Sequence, residues 1–281
     1  MNASYQDILL HLTDEPRSKA KIDAALSLAR RFESHLIALY TLPPPVMPYY
    51  TGEFIPTEFI QKQVDDAQAA AKACHAAFEA AAKLAGVPVE WIESEWPALD
   101  AAAVYGRAVD LVLVGQPDPD PSDAVRVTPD LAVLPHELAL RAGRPILGLP
   151  YAGSLPDKLG ENVLIAWNGS RESTRAVHDA MPFLLGAKQV TVYGINPDRD
   201  RGTPGADLAR HLARHNVKVE VTNTVVSDIE VGEALLSAIS DRGIDLLVMG
   251  AYGHSRLREM VFGGVTETIL DSMTVPVLFS N

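Results

Sequence analysis

Short apolar runs alternate with amphipathic stretches along the whole chain. In the first half, the runs that predict strands lie at residues 8–12, 35–40, 87–92, 110–115 and 145–150. The stretch between the first two runs carries apolar residues at helical spacing, and a long alanine-rich stretch before the third is also typical of a helix. Because runs that are apolar throughout are typical of parallel strands buried on both faces, the pattern predicts a sheet covered by helices.

The second half of the chain repeats this pattern in the same order. Its predicted strands lie at residues 162–167, 190–193, 217–222, 245–250 and 275–279. Ser170 is a predicted helix N-cap, and Gly143 and Gly243 are predicted to end one helix in each half. The repeated order indicates a duplication. We therefore predict an α/β protein with two tandem open five-stranded parallel sheets flanked by helices, comprising residues 1–150, a linker at 151–161 and residues 162–281.

The two halves differ in length. Ile8 matches Val163 at an offset of 155 positions, whereas Asp110 matches Asp245 at an offset of 135. The first half therefore carries about twenty extra residues between its second and fourth strands. We assign them to the proline- and aromatic-rich segment 43–60 and the long helix that follows it, to about residue 85. The segment is interpreted as an ordered loop, with a lid or an interface arm as alternatives.

Composition and charge narrow the range of partners. The chain of 281 residues has a net charge of −12, which argues against nucleic acid or an anionic membrane as the main partner, because both attract basic surfaces. No apolar window approaches the roughly 18 residues that span a bilayer, and the N-terminus does not resemble a signal peptide. Cys74 is the single cysteine, which excludes an internal disulfide and a Cys-rich zinc site. We expect a cytoplasmic protein.

A glycine-rich stretch follows the fourth predicted strand of the second half. Gly250, Gly253 and Gly263 have the spacing G-x2-G-x9-G, and a predicted helix begins directly after Gly264. Glycines let a backbone approach a ligand closely, and a helix N-terminus favours an anion. Thr266 offers a hydroxyl in the first turn. The stretch predicts a phosphate site, although glycines alone are equally consistent with tight turns.

This glycine spacing and the end of the first strand of the second half, which reads AWNGS at residues 166–170, together resemble the universal stress protein family. The resemblance covers both halves and implies a Rossmann-like fold of the adenine-nucleotide alpha-hydrolase type. It also implies a bound ATP or other adenine nucleotide, with or without Mg²⁺. It implies that the backbone around Ala166 and Asn168, which includes Trp167, meets the adenine and ribose, and that Gly194 and Met249 flank the base. For the ribose and phosphates it implies contacts with Gly250, Tyr252, Gly253, Gly263, Gly264, Val265 and Thr266.

The sequence departs from the family pattern at two positions of the second half. Asn168 replaces the usual Asp, and Gly264 replaces a Ser or Thr that would give a hydroxyl to the phosphates. The first half departs further. After Gly115, residues 116–123 contain three prolines, which lack the N–H donor, and three aspartates, which repel an anion. The first half is predicted not to bind phosphate.

The sequence lacks complete motifs for metal-dependent or hydrolytic catalysis. His136 and Glu137 begin like a zinc-protease motif, but Leu140 stands where the second histidine is needed. The sequence has neither a P-loop motif nor the G-x-S-x-G motif of α/β-hydrolases, and its histidines show no metal-ligand spacing. Arg256 and Arg258 are candidates for phosphate contact or for a solvated loop. We predict no catalytic residue and no metal site.

The resulting functional prediction is a cytoplasmic universal stress protein, a regulatory stress-response module. Its C-terminal half binds ATP or a related adenine nucleotide, and its N-terminal half is a structural partner. The resemblance implies that the last strands of the two halves pair edge to edge at residues 146–149 and 277–279, forming an intramolecular pseudo-dimer. A homodimer of whole chains is left open. The alternatives are a nucleotide-free interaction or scaffold protein whose loop is a relic, and a slow ATP hydrolase.

Overall fold

The structure, a computed structural model, describes residues 4–15, 17–45, 57–118, 131, 134–152, 158–196, 204–252 and 264–281. The strands are β1 Asp7–Leu12, β2 His35–Thr41, β3 Val89–Ser94, β4 Leu111–Gly115, β5 Ile146–Leu149, β6 Asn162–Ala166, β7 Gln189–Ile195, β8 Val219–Thr224, β9 Leu246–Gly250 and β10 Val277–Ser280. The helices are α1 Ser18–Phe32, α2 Thr57–Ala85, α3 Ala98–Gly106, α4 Leu134–Arg141, α5 Arg171–Asp179, α6 Met181–Leu184, α7 Ala206–Arg214, α8 Val231–Asp241 and α9 Val265–Ser272.

The ten strands form one continuous sheet in the order β3-β2-β1-β4-β5-β10-β9-β6-β7-β8. All pairs within a half are parallel, which confirms the two predicted five-stranded parallel sheets. The two sheets meet at one antiparallel pair, β5 with β10, where Val277 lies opposite Gly148 and Phe279 opposite Ile146. This is the predicted edge-to-edge pairing. In each half, the chain changes direction across the sheet at its first strand, so the crevice beside β1 or β6 is the place where ligands bind in open α/β sheets.

Strands β3 and β8 begin two residues later than predicted, and for the same reason. Val87 and Val217 are buried but precede β3 and β8. Each donates its N–H back to a carbonyl five residues earlier, at 3.2 Å for Val87 and 3.1 Å for Val217. The residues before them, Gly86 and Asn216, have left-handed φ angles of 68° and 62°. This combination is a Schellman motif, so the apolar residue that looked like the start of a strand closes a helix.

The extra length of the N-terminal half lies mainly in a helix. Helix α2 has 29 residues, against nine in α7, the helix at the corresponding place in the second half. It packs through a narrow stripe of buried residues that includes Gln63, Ala71 and Phe78. Of the predicted segment 43–60, residues 46–56 lie outside the described residues. The long helix that the sequence predicts from about Glu58 to Ala85 is therefore confirmed.

Alternating side chains of the strands build two apolar layers, one on each face of the sheet. One layer packs under α1, α2, α5, α6 and α7, and the other under α3, α4, α8 and α9. Each layer contains residues from both halves. The halves therefore share their core across the β5–β10 pair. Among the described residues, no helix is both long enough and apolar enough to cross a membrane.

Side chains reinforce the contact between the halves. The rings of Tyr5 and Phe32 from the first half pack on Phe183 from the second, with centroid distances of 5.7 and 5.1 Å. The Tyr5 hydroxyl also donates across the boundary to the carbonyl of Asp179 at 2.7 Å. The contact is thus aromatic on one face and hydrogen-bonded at its edge.

Candidate functional site

The candidate site lies where β6, β7 and β9 end side by side. Ala166 ends β6 and Gly250 ends β9, and the register places Ala166 beside both Met249 and Tyr193. Gly194 was predicted to follow its strand, but it is the sixth residue of β7 and pairs with Asn223. The strand continues because its backbone finds partners in β8 for two residues longer than the apolar run indicates.

The turn after β6 is organised by its own polar side chains. Asn168 Oδ1 accepts from the backbone N–H of Ser170 at 3.0 Å, and Ser170 Oγ accepts from the N–H of Ser173 at 3.1 Å. The second bond confirms Ser170 as the N-cap of α5. Gly169 has a φ of 73° and open space around its Cα. The Asn168 amide oxygen is therefore already engaged in holding the turn.

Gly250 is explained by helix packing. A Cβ at this position would lie 2.5 Å from the backbone nitrogen of Ser173 and 2.6 Å from the carbonyl carbon of Glu172. Both atoms belong to the first turn of α5, which approaches the end of β9 too closely for any side chain. The glycine is required here by the meeting of helix and strand, with or without a ligand.

Two residues of the predicted site lie on opposite faces of the sheet. Met249 is 4% exposed and belongs to the apolar layer under α8 and α9. Trp167 is half-buried and packs against the other layer, near Gly205. The predicted base contacts, through the backbone around Trp167 and through Met249, stay predictions.

Helix α9 begins without a capping side chain. Its N-cap residue, Gly264, has extended backbone angles (φ −60°, ψ 153°) and makes no side-chain hydrogen bond. Val265 is half-buried and Thr266 is 5% exposed, so Thr266 offers little hydroxyl surface to a ligand. Gly253 and Gly263, together with the two candidate arginines at 256 and 258, lie outside the described residues.

Tyr252 links this region to the other half of the protein. Its φ of 56° is left-handed, which is uncommon for a bulky residue. Its hydroxyl lies 2.9 Å from Nδ1 of His136, on α4, and Nε2 of the same imidazole lies 3.4 Å from the Asp271 carboxylate on α9. Gln116, which follows β4, donates to the carbonyl of Asp271 at 2.6 Å. In the sequence, His136 stands out only as the start of an incomplete zinc-protease motif. No pattern there predicts its contact with Tyr252 and Asp271.

In the N-terminal half, the corresponding crevice is filled by a lysine. The Lys21 side chain is 6% exposed, and its ammonium pairs with the Glu15 carboxylate and donates to the carbonyl of His11 at 3.2 Å. A Cβ at Gly115 would meet Lys21 Cδ at 3.0 Å. The ends of β1 and β4 therefore close around an ion pair of the chain itself.

This ion pair sets the ionisation of its acid. Burial alone raises the pKa of Glu15, but the charge of the Lys21 ammonium and its hydrogen bond outweigh burial and leave the pKa below its usual value. Beyond β4, Gln116 Oε1 accepts from the N–H of Tyr151 at 2.9 Å, and the Tyr151 hydroxyl donates to Asp118 at 2.7 Å. The described polar groups that follow β4 thus bind other parts of the chain.

Three histidines that have no metal-ligand spacing in the sequence lie close together in the structure. His178 on α5 and His211 on α7 have ring centroids 5.6 Å apart, and His211 and His215 are 4.7 Å apart. Burial, with the nearby His215, His178 and Arg214, lowers the pKa of His211. Within the described ranges, no three His, Cys, Asp or Glu side chains are arranged to hold a metal ion.

Both halves use the aspartate that precedes their fourth strand in the same way. Asp110 accepts from the N–H groups of Gln6 and Asp7, at 2.7 and 3.1 Å. Asp245 accepts from the N–H groups of three consecutive residues, 160–162, at 2.9 to 3.1 Å. The repeated aspartate therefore anchors the first strand of each half, which explains its place in the duplicated pattern.

The model of the universal stress protein family matches residues 4–125 and again residues 160–280. The chain belongs to the universal stress protein family. It is a tandem two-domain member, since both halves match separately. Universal stress protein Slr1230 of Synechocystis is 33% identical over 124 residues, which are 41% of each chain. Universal stress protein MJ0577 of Methanocaldococcus jannaschii is 33% identical over 69 residues, 22% of this chain and 43% of that protein. This chain thus spans about two fifths of the length of these curated relatives.

Solved structures resemble this universal stress protein over its whole length. One from Archaeoglobus fulgidus, described as a universal stress protein, has a TM-score of 0.68 at 14% identity and covers 98% of this chain and 96% of its own. The functionally unknown protein PA1789 of Pseudomonas aeruginosa has a TM-score of 0.58 at 14% identity and covers 98% and 92%. At this identity the likeness concerns the fold.

Proposed function

We propose that this universal stress protein binds ATP or a related adenine nucleotide, with or without Mg²⁺, in its C-terminal half. The ligand would lie in the crevice at the ends of β6 and β9, with its phosphates at the N-terminus of α9. The family assignment supports this proposal together with one structural observation. The N-cap residue of α9 is Gly264, which has no side chain to compete with an anion for the first N–H groups of the helix.

The N-terminal half supports the proposal by contrast. There the Lys21–Glu15 pair occupies the matching crevice, and the Lys21 side chain lies directly beside Gly115. The described groups after its fourth strand are engaged with Tyr151 and Asp271. We therefore propose one nucleotide per chain, with the first half acting as a structural partner.

A direct experiment tests this. The protein is purified without added nucleotide and denatured, and the supernatant is analysed for released adenine nucleotide. In parallel, ATP and AMP are titrated into the protein by calorimetry. We expect ATP to bind with a stoichiometry of one. Absence of released nucleotide, together with no heat at millimolar ATP, would overturn the proposal.

A single variant separates loss of the site from loss of the fold. Gly264→Asp places a good N-cap on α9, so the helix is retained or strengthened, but it puts a negative charge where the phosphates would lie. We expect ATP affinity to fall at least tenfold. Gln68→Glu, which adds the same charge on the exposed face of α2, is the control and should leave affinity unchanged. Equal affinity of both variants would place the phosphates elsewhere.

One set of observations favours a second candidate, a nucleotide-free interaction protein. Gly250 is required by helix packing alone, and the Asn168 oxygen is already bonded within its turn. Neither feature then needs a ligand to explain it. The calorimetric titration decides between the candidates, because this one predicts no heat with any adenine nucleotide.

A further inference from the structure

We propose that His136, in the N-terminal half, is a positioning residue of the nucleotide site in the C-terminal half. This inference rests on the proposed function and deepens it. The imidazole contacts Tyr252 on one side and Asp271 on the other. Tyr252 lies just after β9 and Asp271 lies on α9, so one side chain connects the two elements that flank residues 253–263.

The sheet topology brings this side chain to the site. Because β5 and β10 pair at the centre of the sheet, α4 of one half and α9 of the other lie on the same face, in one apolar layer. His136 projects from α4 across the boundary between the halves. Gln116 adds a second bond from the N-terminal half to α9, at the carbonyl of Asp271. The last turn of α9 is thus held from the other half by two residues.

The hydrogen-bond directions follow from the chemistry of the partners. An ionised carboxylate only accepts, so Nε2 of His136 carries the proton toward Asp271. In the neutral imidazole, Nδ1 is then an acceptor, and the Tyr252 hydroxyl donates to it at 2.9 Å. With the proton on Nε2, the two contacts favour one imidazole tautomer. The Tyr252 hydroxyl then points toward His136 on α4.

The backbone of Tyr252 shows why such a contact matters. A left-handed φ of 56° at a residue with a bulky side chain persists where the surroundings hold it. The residue before it is also held, since the Ala251 N–H donates to Ser280 at 2.8 Å and its carbonyl accepts from Asn281 Nδ2 at 2.8 Å. His136 holds Tyr252 through its side chain. The direction in which Ala251 and Tyr252 leave β9 is therefore set in part by the N-terminal half.

The test compares four variants by ATP and adenosine titration. His136→Ala and Tyr252→Phe are each expected to weaken ATP binding five- to tenfold and adenosine binding less than twofold. The reason is that the contact between His136 and Tyr252 aligns the part of the site that would hold the phosphates. The double variant should be no weaker than either single variant, since both remove the same contact. His136→Asn, whose amide can still meet the Tyr252 hydroxyl, should recover most of the affinity. Arg141→Gln, on the same helix, is the control and should bind as wild type.

Two further measurements keep the outcomes distinct. Urea unfolding of each variant shows whether it folds, and the nitrogen spectrum of His136 should report the Nε2–H tautomer in wild type and its loss of order in Tyr252→Phe. A wild-type protein that binds no adenine nucleotide overturns the proposed function and this inference together. A wild-type protein that binds ATP, with folded His136 variants that bind equally well or lose affinity additively with Tyr252→Phe, overturns this inference alone.

Discussion

The two halves end their fourth strands at a glycine, yet the glycines serve different neighbours. Gly115 lies against the aliphatic stem of Lys21, whereas Gly250 lies against the backbone of α5. In the first half the three atoms nearest a Cβ at Gly115 all belong to the Lys21 side chain, whose ammonium pairs with Glu15. In the second half the helix itself reaches the strand. The comparison teaches that the chain's own side chains can fill the crevice at one fold position while the strand order remains intact.

The largest expected effect distinguishes the two glycines directly. Gly250→Ala forces a methyl group into backbone atoms 2.5 and 2.6 Å away, so we expect a loss of about 3 kcal/mol in unfolding free energy. Gly115→Ala meets only the flexible Lys21 stem, and we expect a change below about 1 kcal/mol. Urea unfolding followed by circular dichroism measures both. Similar losses at the two positions would mean that the helix approach does not distinguish the halves.

The next prediction concerns the filled crevice of the first half. Lys21→Met keeps the buried stem but leaves the Glu15 carboxylate without its ammonium, and we expect a loss of about 2 kcal/mol. The estimate lies below that for a fully buried pair, because the Glu15 side chain is 22% exposed. The double variant Lys21→Met with Glu15→Gln should recover part of the loss in the same unfolding assay. A double variant less stable than Lys21→Met alone would contradict the pairing.

The same pair should respond to acid. The pKa of Glu15 is lowered in the folded protein, so its contribution to stability is present above the usual value of 4.5 and is lost as the pH falls through the lowered value. Protonation weakens the contact without removing the side chain, so this effect is smaller than that of Lys21→Met. The difference in unfolding free energy between wild type and Glu15→Gln should shrink between pH 6 and pH 3 (roughly the range over which carboxylates protonate). A difference independent of pH would contradict the assignment.

The smallest expected effect concerns Asn168, in the turn between β6 and α5 of the second half. Asn168→Asp turns the bond from the Ser170 N–H into a charge-assisted one at the N-terminus of α5. We expect a gain of about 0.5 kcal/mol in unfolding free energy. Gln68→Glu on α2 serves as the matched control for added charge. If both variants change stability equally, the position of Asn168 at the helix end has no special influence.

Local patterns in the sequence predicted most of the fold. Continuous apolar runs located all ten strands, and the N-cap chemistry of Ser170 located the start of α5. Each of these features depends on neighbours in the chain, which is why periodicity and turn residues reveal them. The errors at Val87 and Val217 have a local cause as well. An apolar residue that closes a Schellman motif has the same hydropathy as one that begins a strand.

The site was harder to predict, because its contacts join distant parts of the chain. Lys21 resembled any amphipathic helix residue, and only the structure places it against Gly115. His136 and Tyr252 are 116 positions apart, and no pattern within either half relates them. Gly250 was correctly predicted to end its strand, but the approach of the α5 backbone explains why this residue is a glycine. The nucleotide contacts themselves stay predictions.

The antiparallel pair of β5 and β10 has a consequence for how the protein can change over time. In an assembly of two identical chains, any substitution is copied into both halves, so a residue cannot specialise on one side only. Here the two halves are separate parts of one polypeptide, so each molecule contains one copy of each. Among the described residues, Lys21 can therefore lie beside Gly115 with no counterpart beside Gly250. His136 can likewise contact Tyr252 of the other half without a matching contact in return among those residues. Because both halves belong to one chain, a substitution that makes them differ is inherited together with that difference.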